Sequence, residues 1–155
     1  MLKVGKAAPV FEIPDADMNM VCLSDFRGSN NVVVYFYPKD DTPGCTTEAI
    51  EFSDMQEEFA GLDTVVLGIS RDDVLTHSAF RDKHGLSVSL LADADGEVCE
   101  AYGVMIDREL EGVGTRRALI RSTFIIDKEG VLRDAFYGVN PRGHAREILD
   151  KVRGL

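Results

Sequence analysis

The fold of this chain is decided by Asn31-Val-Val-Val-Tyr-Phe-Tyr37, which is followed directly by Pro38-Lys-Asp-Asp-Thr-Pro-Gly-Cys45. The first stretch is an unbroken apolar run rich in β-branched and aromatic residues, as a strand buried on both faces of a sheet would be. Pro38 ends it, because proline cannot donate to a strand ladder. Beyond the turn, apolar residues recur at helical spacing, at Ala49, Ile50, Phe52, Met55 and Phe59. The sequence predicts a strand over 31–37 and a helix over about 44–60.

Cys45 lies in the first turn of this predicted helix. The first N–H groups of a helix have no partner within it, and the helix dipole is positive at that end. Both effects favour the thiolate, which is the nucleophilic form of a cysteine. The alternative is an inert core thiol, because cysteine is among the residues most often buried.

A β-α-β unit is predicted for the first half of the chain. The strand over 31–37 and the helix are followed by a second apolar run, Thr64-Val-Val-Leu-Gly-Ile-Ser70. Strands joined through a helix are expected to run parallel with a right-handed crossover. A helix over about 73–84 comes next, and Val21-Cys-Leu23 predicts a short strand near the N-terminus.

The last third of the chain predicts a hairpin and a helix. Residues 123–127 and 131–137 flank Lys128-Glu-Gly130, with the glycine where a positive φ is needed. A final helix is expected over about 141–153. Residues 107–117 show little periodicity and are predicted to form a loop or irregular segment close to the candidate site. The predicted order of elements is β-α-β-α-β-β-α.

The spacing Pro-x-x-x-Thr-x-x-Cys, formed here by Pro38, Thr42 and Cys45, resembles the active-site signature of peroxiredoxins. The longer stretch from Tyr35 to Ala49 resembles the branch called bacterioferritin comigratory protein, or peroxiredoxin Q. Further matches run almost the whole chain, at Val4-Gly-Lys-Ala-Ala-Pro-Val-Phe11, Leu23-Ser-Asp-Phe-Arg-Gly28, Val66-Leu-Gly-Ile-Ser70, Leu91-Ala-Asp-Ala-Asp-Gly96, Tyr102-Gly-Val104 and Arg121-Ser-Thr-Phe-Ile-Ile-Asp127.

The resemblance implies an α/β protein with a thioredoxin-like fold, in which a central mixed sheet is flanked by helices and preceded by an N-terminal β extension. The predicted order of elements agrees with that fold. The length of 155 residues suits one domain, residues 1–155.

The resemblance also implies a thiol peroxidase that reduces hydrogen peroxide and organic hydroperoxides to water and alcohols in antioxidant defence. Cys45 would attack a peroxide oxygen and become a sulfenic acid. Thr42 would turn its hydroxyl toward the thiolate or the peroxide, and Pro38 would pack over the sulfur and keep water out. Arg121 would supply a fixed positive charge, because a guanidinium stays charged and presents several donors in one plane. Glu48 could orient an arginine or the first helical turn.

Each of these residues also has an ordinary structural explanation. Thr42 could be a helix N-cap. Pro38 could simply terminate the strand. Arg121, near Arg116 and Arg117, could form a surface ion pair.

The chain lacks the resolving cysteines that the resemblance would lead one to expect. Many members of the branch carry one five residues after the nucleophile, where this chain has Ile50, and another group carries one further downstream, where this chain has Arg81. Cys22 and Cys99 are interpreted as structural thiols, with a disulfide to Cys45 as the alternative for either. We therefore expect a one-cysteine mechanism, in which thioredoxin, glutaredoxin or a low-molecular-weight thiol reduces the sulfenic acid.

Two other functions remain open from the sequence. Cys45 could serve a redox sensor or interaction protein that forms mixed disulfides with clients. A thiol-disulfide isomerase or holdase is disfavoured, because the chain has no Cys-x-x-Cys.

Charge and cysteine content restrict the partners and the location. The 27 acidic and 17 basic residues give a formal net charge of -10, which opposes nucleic acid or an anionic membrane as a partner. Three cysteines without a close pair fit a reducing compartment, and the N-terminus lacks a signal-peptide core, so the expected location is cytoplasmic. A monomer and a homodimer are both compatible with the sequence.

No metal and no cofactor are expected. His77, His84 and His144 show no metal-ligand spacing and are interpreted as solvated helix residues. A Gly-rich phosphate loop is absent, which argues against a nucleotide cofactor.

Overall fold

The computed structural model describes residues 2–155, which form nine strands and five α-helices. The strands are β1 (Glu12–Pro14), β2 (Met20–Cys22), β3 (Asn31–Phe36), β4 (Thr64–Ser70), β5 (Ser89–Ala92), β6 (Met105–Leu110), β7 (Gly114–Leu119), β8 (Ser122–Ile126) and β9 (Leu132–Tyr137). The helices are α1 (Pro43–Asp54), α2 (Gln56–Ala60), α3 (Val74–His84), α4 (Glu97–Ala101) and α5 (His144–Arg153).

A mixed five-stranded sheet in the order β5-β4-β3-β8-β9 forms the centre of the molecule. Strand β3 runs parallel to β4, as the β-α-β pattern predicted, and antiparallel to β8. Strands β1 and β2 form a separate hairpin before this sheet, which is the expected N-terminal extension. Within residues 2–155 no helix has both the length and the apolar character needed to cross a membrane.

Both faces of β3 are buried, as its unbroken apolar run predicted. Its residues alternate between two core clusters, so that Val33 and Tyr35 pack on one face and Val32 and Val34 on the other. Cys45 belongs to the first cluster. The candidate nucleophile therefore lies on the face of the sheet that α1 and α5 cover.

The helix predicted over 44–60 is interrupted at Met55, where α1 ends and α2 begins. A distant segment binds the chain at this point. The Ser53 hydroxyl accepts the N–H groups of Ser87 and Val88, and the Ser87 hydroxyl donates to the Ser53 carbonyl. These contacts join the end of α1 to the segment that leads into β5.

The segment predicted to be irregular, residues 107–117, was predicted wrongly, since it forms the antiparallel hairpin of β6 and β7. Residues 107–117 are exposed on both faces of this hairpin, which therefore carries no apolar alternation that a pattern could detect. Ion pairs such as Arg117 with Asp107 connect its strands. The predicted order of elements also omitted β5, a four-residue strand at the edge of the central sheet.

The predicted hairpin near the C-terminus is confirmed. Strands β8 and β9 pair as expected, and Gly130 has a φ of 80°. The last helix starts at His144 rather than near residue 141, after Gly143, whose φ is 79°.

Gly68 on β4 lies beneath the ring of Tyr35 on the neighbouring strand. A Cβ at this position would come within 2.6 Å of Tyr35 Cζ. The ring stacks on Phe52 of α1, with ring centroids 4.5 Å apart, so it cannot move freely. Gly68 is therefore required by the packing that supports α1.

We expect Gly68→Ala to lower the free energy of unfolding by about 1–3 kcal/mol, because the Tyr35 ring must leave its packed position. Gly61→Ala is the matched control, since a Cβ there meets only backbone oxygens at 3.5 Å. Urea denaturation of both variants would test this, and equal stabilities would contradict it.

Candidate active site

Cys45 is buried, with 1% exposure, in the first turn of α1. Thr42 is the N-cap residue and Pro43 occupies the first helical turn, where its missing N–H is no loss. The first helical hydrogen bond runs from the Thr46 N–H to the Thr42 carbonyl at 2.9 Å. The N–H groups of Gly44 and Cys45 therefore precede the helical ladder and leave the positive end of the helix beside the sulfur.

Arg121 provides a positive charge at the same place. Its Nη2 lies 3.4 Å from the Cys45 sulfur, and its Nη1 donates to Glu48 Oε1 at 2.7 Å. Burial disfavours the charged guanidinium, but the negative charges of Glu48 and Cys45 outweigh it and raise the pKa of Arg121. The residue directly precedes β8, which pairs with β3, and this pairing brings it to the end of β3 where α1 begins.

Gly44 leaves room for the guanidinium. A Cβ on this residue would lie 3.2 Å from Arg121 Nη2 and 3.3 Å from Pro141 Cγ. These contacts are tighter than ordinary packing, so a larger residue would displace either the arginine or the turn that carries Pro141. The glycine of the sequence motif thus permits the close approach of Arg121 to α1.

Glu48 holds Arg121 from the interior. Its side chain is fully buried, and its Oε2 has no hydrogen-bond partner among residues 2–155. Burial raises the pKa of Glu48 to about 7, although Arg121 acts in the opposite direction. The structure confirms the suggestion that Glu48 contacts an arginine.

The Thr42 hydroxyl does not cap α1. It donates instead to the Lys39 carbonyl at 2.9 Å. Pro38 follows the end of β3 and is exposed, which agrees with its role as a strand terminator. Its packing over the sulfur stays a prediction.

The other two cysteines lie away from this arrangement. Cys99 is buried in the core on the opposite face of the sheet from Cys45. Burial, helped by a hydrogen bond to Asp93, raises the pKa of its thiol far above the usual range. Cys22 is half-buried, and its sulfur lies 3.0 Å from the Ser24 hydroxyl. All three cysteines are free thiols.

The interpretation of the histidines as solvated was wrong for His77 and His144, which are buried. His144 Nε2 lies 2.8 Å from the Thr123 hydroxyl, and burial lowers the pKa of its ring. His77 Nδ1 lies 2.6 Å from Asp40 Oδ2. The sequence did contain a signal, because His77 precedes the buried Phe80 by three residues and so shares its helical face. His84 lies at the surface beside Asp41.

Asp40, Asp72 and His77 bring possible metal-ligand atoms within 4.8 Å of one another. His77 and Asp40 are already bound to each other, and Asp72 Oδ2 accepts the Ser70 hydroxyl at 2.7 Å. The arrangement is that of a closed hydrogen-bonded cluster.

Comparison with known proteins agrees with this geometry. A model of the AhpC/TSA family matches residues 4–135. The chain belongs to this family. It is 39% identical over 159 residues to peroxiredoxin Bcp of Bacillus subtilis, covering 99% of this chain and 97% of that protein. It is 39% identical over 152 residues to peroxiredoxin Bcp of Escherichia coli, covering 98% and 96% respectively.

A solved structure of bacterioferritin comigratory protein from Xanthomonas campestris, studied for its alkyl peroxide reduction activity, has a TM-score of 0.89. It shares 32% identity and covers 93% of this chain and 90% of that one. Family membership confirms the thioredoxin-like fold and the resemblance to the peroxiredoxin Q branch. Peroxiredoxins are thiol peroxidases, so the enzyme class predicted from the sequence is confirmed as well.

We expect Glu48→Gln to change how stability depends on pH. The pKa of Glu48 is about 7 in the folded protein and 4.5 in its ordinary state, so the folded protein binds this proton more tightly than the unfolded chain. The resulting contribution to the free energy of unfolding is fully present below pH 4.5 and is lost as pH rises through about 7. The free energy of unfolding of the variant relative to wild type should rise by about 1–3 kcal/mol between about pH 5 and pH 8.

Urea denaturation at the two pH values measures this difference. Glu57→Gln, at an exposed position on α2, is the control and should show no pH-dependent difference from wild type. A constant difference between Glu48→Gln and wild type would contradict the raised pKa.

Proposed function

We propose that this chain reduces hydrogen peroxide and organic hydroperoxides to water and alcohols, with Cys45 as the nucleophile. The observation that supports this most directly is the 3.4 Å contact between the buried Cys45 sulfur and Arg121 Nη2 at the N-terminus of α1. A buried thiol without such a partner would be an inert core residue. The guanidinium and the N-terminus of α1 together place positive charge beside the sulfur.

The reaction is a displacement at oxygen. The Cys45 thiolate attacks one peroxide oxygen, the O–O bond breaks, and its electron pair leaves with the second oxygen, which takes a proton and departs as water or an alcohol. The sulfur is oxidised to a sulfenic acid. Arg121, freed from its thiolate partner as the charge moves, stabilises the negative charge on the leaving oxygen.

Thr42 and Pro38 complete the proposed catalytic set. The hydrogen of the Thr42 hydroxyl is donated to the Lys39 carbonyl, so its oxygen is free to accept a hydrogen bond from the O–H of a hydroperoxide. Pro38 would limit the access of water to the sulfur.

An open groove of about 290 Å³ lies beside the first turn of α1. It is lined by Pro43, Gly44, Thr47, Asn140, Pro141 and Arg142. This groove offers space for the organic part of a hydroperoxide next to Arg121, and the Xanthomonas relative was studied for alkyl peroxide reduction.

The oxidised enzyme would be recycled by an external thiol in the cytoplasm. The central sheet separates Cys99 from Cys45, and the Cys22 sulfur contacts the Ser24 hydroxyl. An external thiolate would attack the sulfenic sulfur and release water, and a second thiol would then release Cys45 by disulfide exchange. Thioredoxin, glutaredoxin or a small thiol could perform both steps, with the enzyme as a monomer or a homodimer.

The absence of a second cysteine beside Cys45 also supports a different function, a redox sensor that passes its oxidation to a client as a mixed disulfide. The two functions differ in turnover. A peroxidase consumes many equivalents of peroxide with an ordinary thiol reductant, whereas a sensor consumes about one and recovers slowly.

We expect Cys45→Ser to abolish thiol-dependent peroxide consumption, because the hydroxyl is not a nucleophile at neutral pH. Cys22→Ser is the control and should keep the wild-type rate. Peroxide loss with dithiothreitol or thioredoxin measures both. Unchanged turnover in Cys45→Ser would disprove the proposed function.

We expect Arg121→Ala to slow peroxide reduction by about 10²-fold, because a buried thiolate and the leaving oxygen both lose their positive partner. Arg121→Lys should be slowed less, since it keeps the charge but not the planar donors. Arg116→Ala, at an exposed position on β7, is the control. Equal rates of Cys45 oxidation in Arg121→Ala and Arg116→Ala would remove Arg121 from the catalytic set.

A further inference from the structure

The peptide bond between Lys39 and Asp40 is held from both sides. Its N–H donates to Asp72 Oδ2 at 2.9 Å, and its carbonyl accepts the Thr42 hydroxyl at 2.9 Å. Asp72 is itself fixed at the end of β4, where its Oδ2 also accepts the Ser70 hydroxyl. The direction of the carbonyl that receives the Thr42 proton is therefore set by a carboxylate on the far side of the loop.

The side chain of Asp40 is anchored more deeply. Its Oδ2 lies 2.6 Å from His77 Nδ1, and its Oδ1 accepts the Tyr37 hydroxyl at 2.6 Å. Asp40 is 5% exposed and His77 is fully buried. This pair connects α3 to the loop between Pro38 and Thr42.

Both ring nitrogens of His77 face acceptors. Nδ1 faces the Asp40 carboxylate, and Nε2 lies 2.8 Å from the Leu91 carbonyl. The ring is therefore held at both nitrogens, on one side by the loop before Thr42 and on the other by β5. These two contacts leave the ring no freedom to turn.

We propose that His77 and Asp72 are positioning residues for the peroxidase reaction: through the Lys39–Asp40 peptide they fix the Thr42 hydroxyl as an acceptor that faces the hydroperoxide. The hydrogen of the hydroxyl is committed to the Lys39 carbonyl, which leaves only lone pairs to offer a substrate. A peptide free to rotate would release this hydrogen, and the hydroxyl would then donate or accept at random. The inference rests on the proposed function, because it concerns the same reaction.

The Cys45 sulfur and the positive charge of Arg121 beside it are not part of this hydrogen-bonded set. Arg121 and the first turn of α1 surround the Cys45 sulfur, and neither bonds to His77 or Asp72 within residues 2–155. Loss of His77 should therefore slow the reaction that needs Thr42 and leave other reactions of the Cys45 thiolate unchanged. Alkylation by iodoacetamide is such a reaction, because its leaving group is iodide and it needs no hydrogen-bond acceptor.

The test compares two rates in the full chain, oxidation of Cys45 by hydrogen peroxide and alkylation of Cys45 by iodoacetamide. His77→Gln should lower the peroxide rate by about tenfold and leave the alkylation rate within about twofold of wild type. His84→Gln is the matched control, since His84 is on the same helix and binds the neighbouring Asp41 at the surface, and should change neither rate. In a Thr42→Val background, His77→Gln should have no further effect.

Three outcomes would overturn the proposal. These are an unchanged peroxide rate in His77→Gln, an equal fall in both rates, and an undiminished effect of His77→Gln when Thr42 is already valine. Near-UV circular dichroism and thermal unfolding report whether His77→Gln folds. If it does not, Asp72→Ala, at a half-buried position, decides by the same two rates.

Failure of this proposal can be distinguished from failure of the proposed function. A wild-type protein whose peroxide consumption does not depend on Cys45 disproves the function itself. A wild-type protein that is active through Cys45, with His77→Gln equally active, overturns only the role of His77.

Discussion

The contact between the Cys45 sulfur and the Arg121 guanidinium is the interaction on which the site depends. An ionised sulfur in a core is unfavourable unless an opposite charge and hydrogen-bond donors accompany it. For the proposed thiolate of Cys45, Arg121 would supply both, and the N-terminus of α1 would add its unpaired N–H groups. Glu48 binds the other side of the guanidinium from the interior, so that the arginine is held in place before any substrate arrives.

The fold serves to bring these groups together. Strand β3 ends close to the start of α1. Its antiparallel neighbour β8 begins at the same end of the sheet, and Arg121 directly precedes β8. The aromatic ring of Tyr35 fills the space between Gly68 and Phe52 and so supports α1 from below. Two glycines leave room for large side chains: Gly44 for the guanidinium of Arg121, and Gly68 for the ring of Tyr35.

The described structure places no second cysteine beside Cys45. The Cys45 sulfur, where the proposed sulfenic acid would form, lies against Arg121, whereas Cys99 lies on the other face of the sheet with a thiol whose pKa burial raises. This separation supports the proposed reduction by an external thiol, which would have to reach the first turn of α1. The groove beside Gly44 lies next to that turn.

The sequence by itself determined the strand before Cys45, the helix that carries it, the parallel partner strand and the hairpin around Gly130, because these depend on local periodicity and on residues with restricted φ. The resemblance of the sequence to the peroxiredoxin family also indicated Arg121. Only the tertiary structure decided that α1 ends at Met55, that residues 107–117 form a hairpin, and that His77 is buried against Asp40. The strands β6 and β7 are adjacent in the chain, but their exposed residues show no apolar alternation that would predict the pairing. The break at Met55 and the burial of His77 lie where distant segments meet, Ser53 with Ser87 and α3 with the loop before Thr42, and no local pattern records which distant group will satisfy a polar atom.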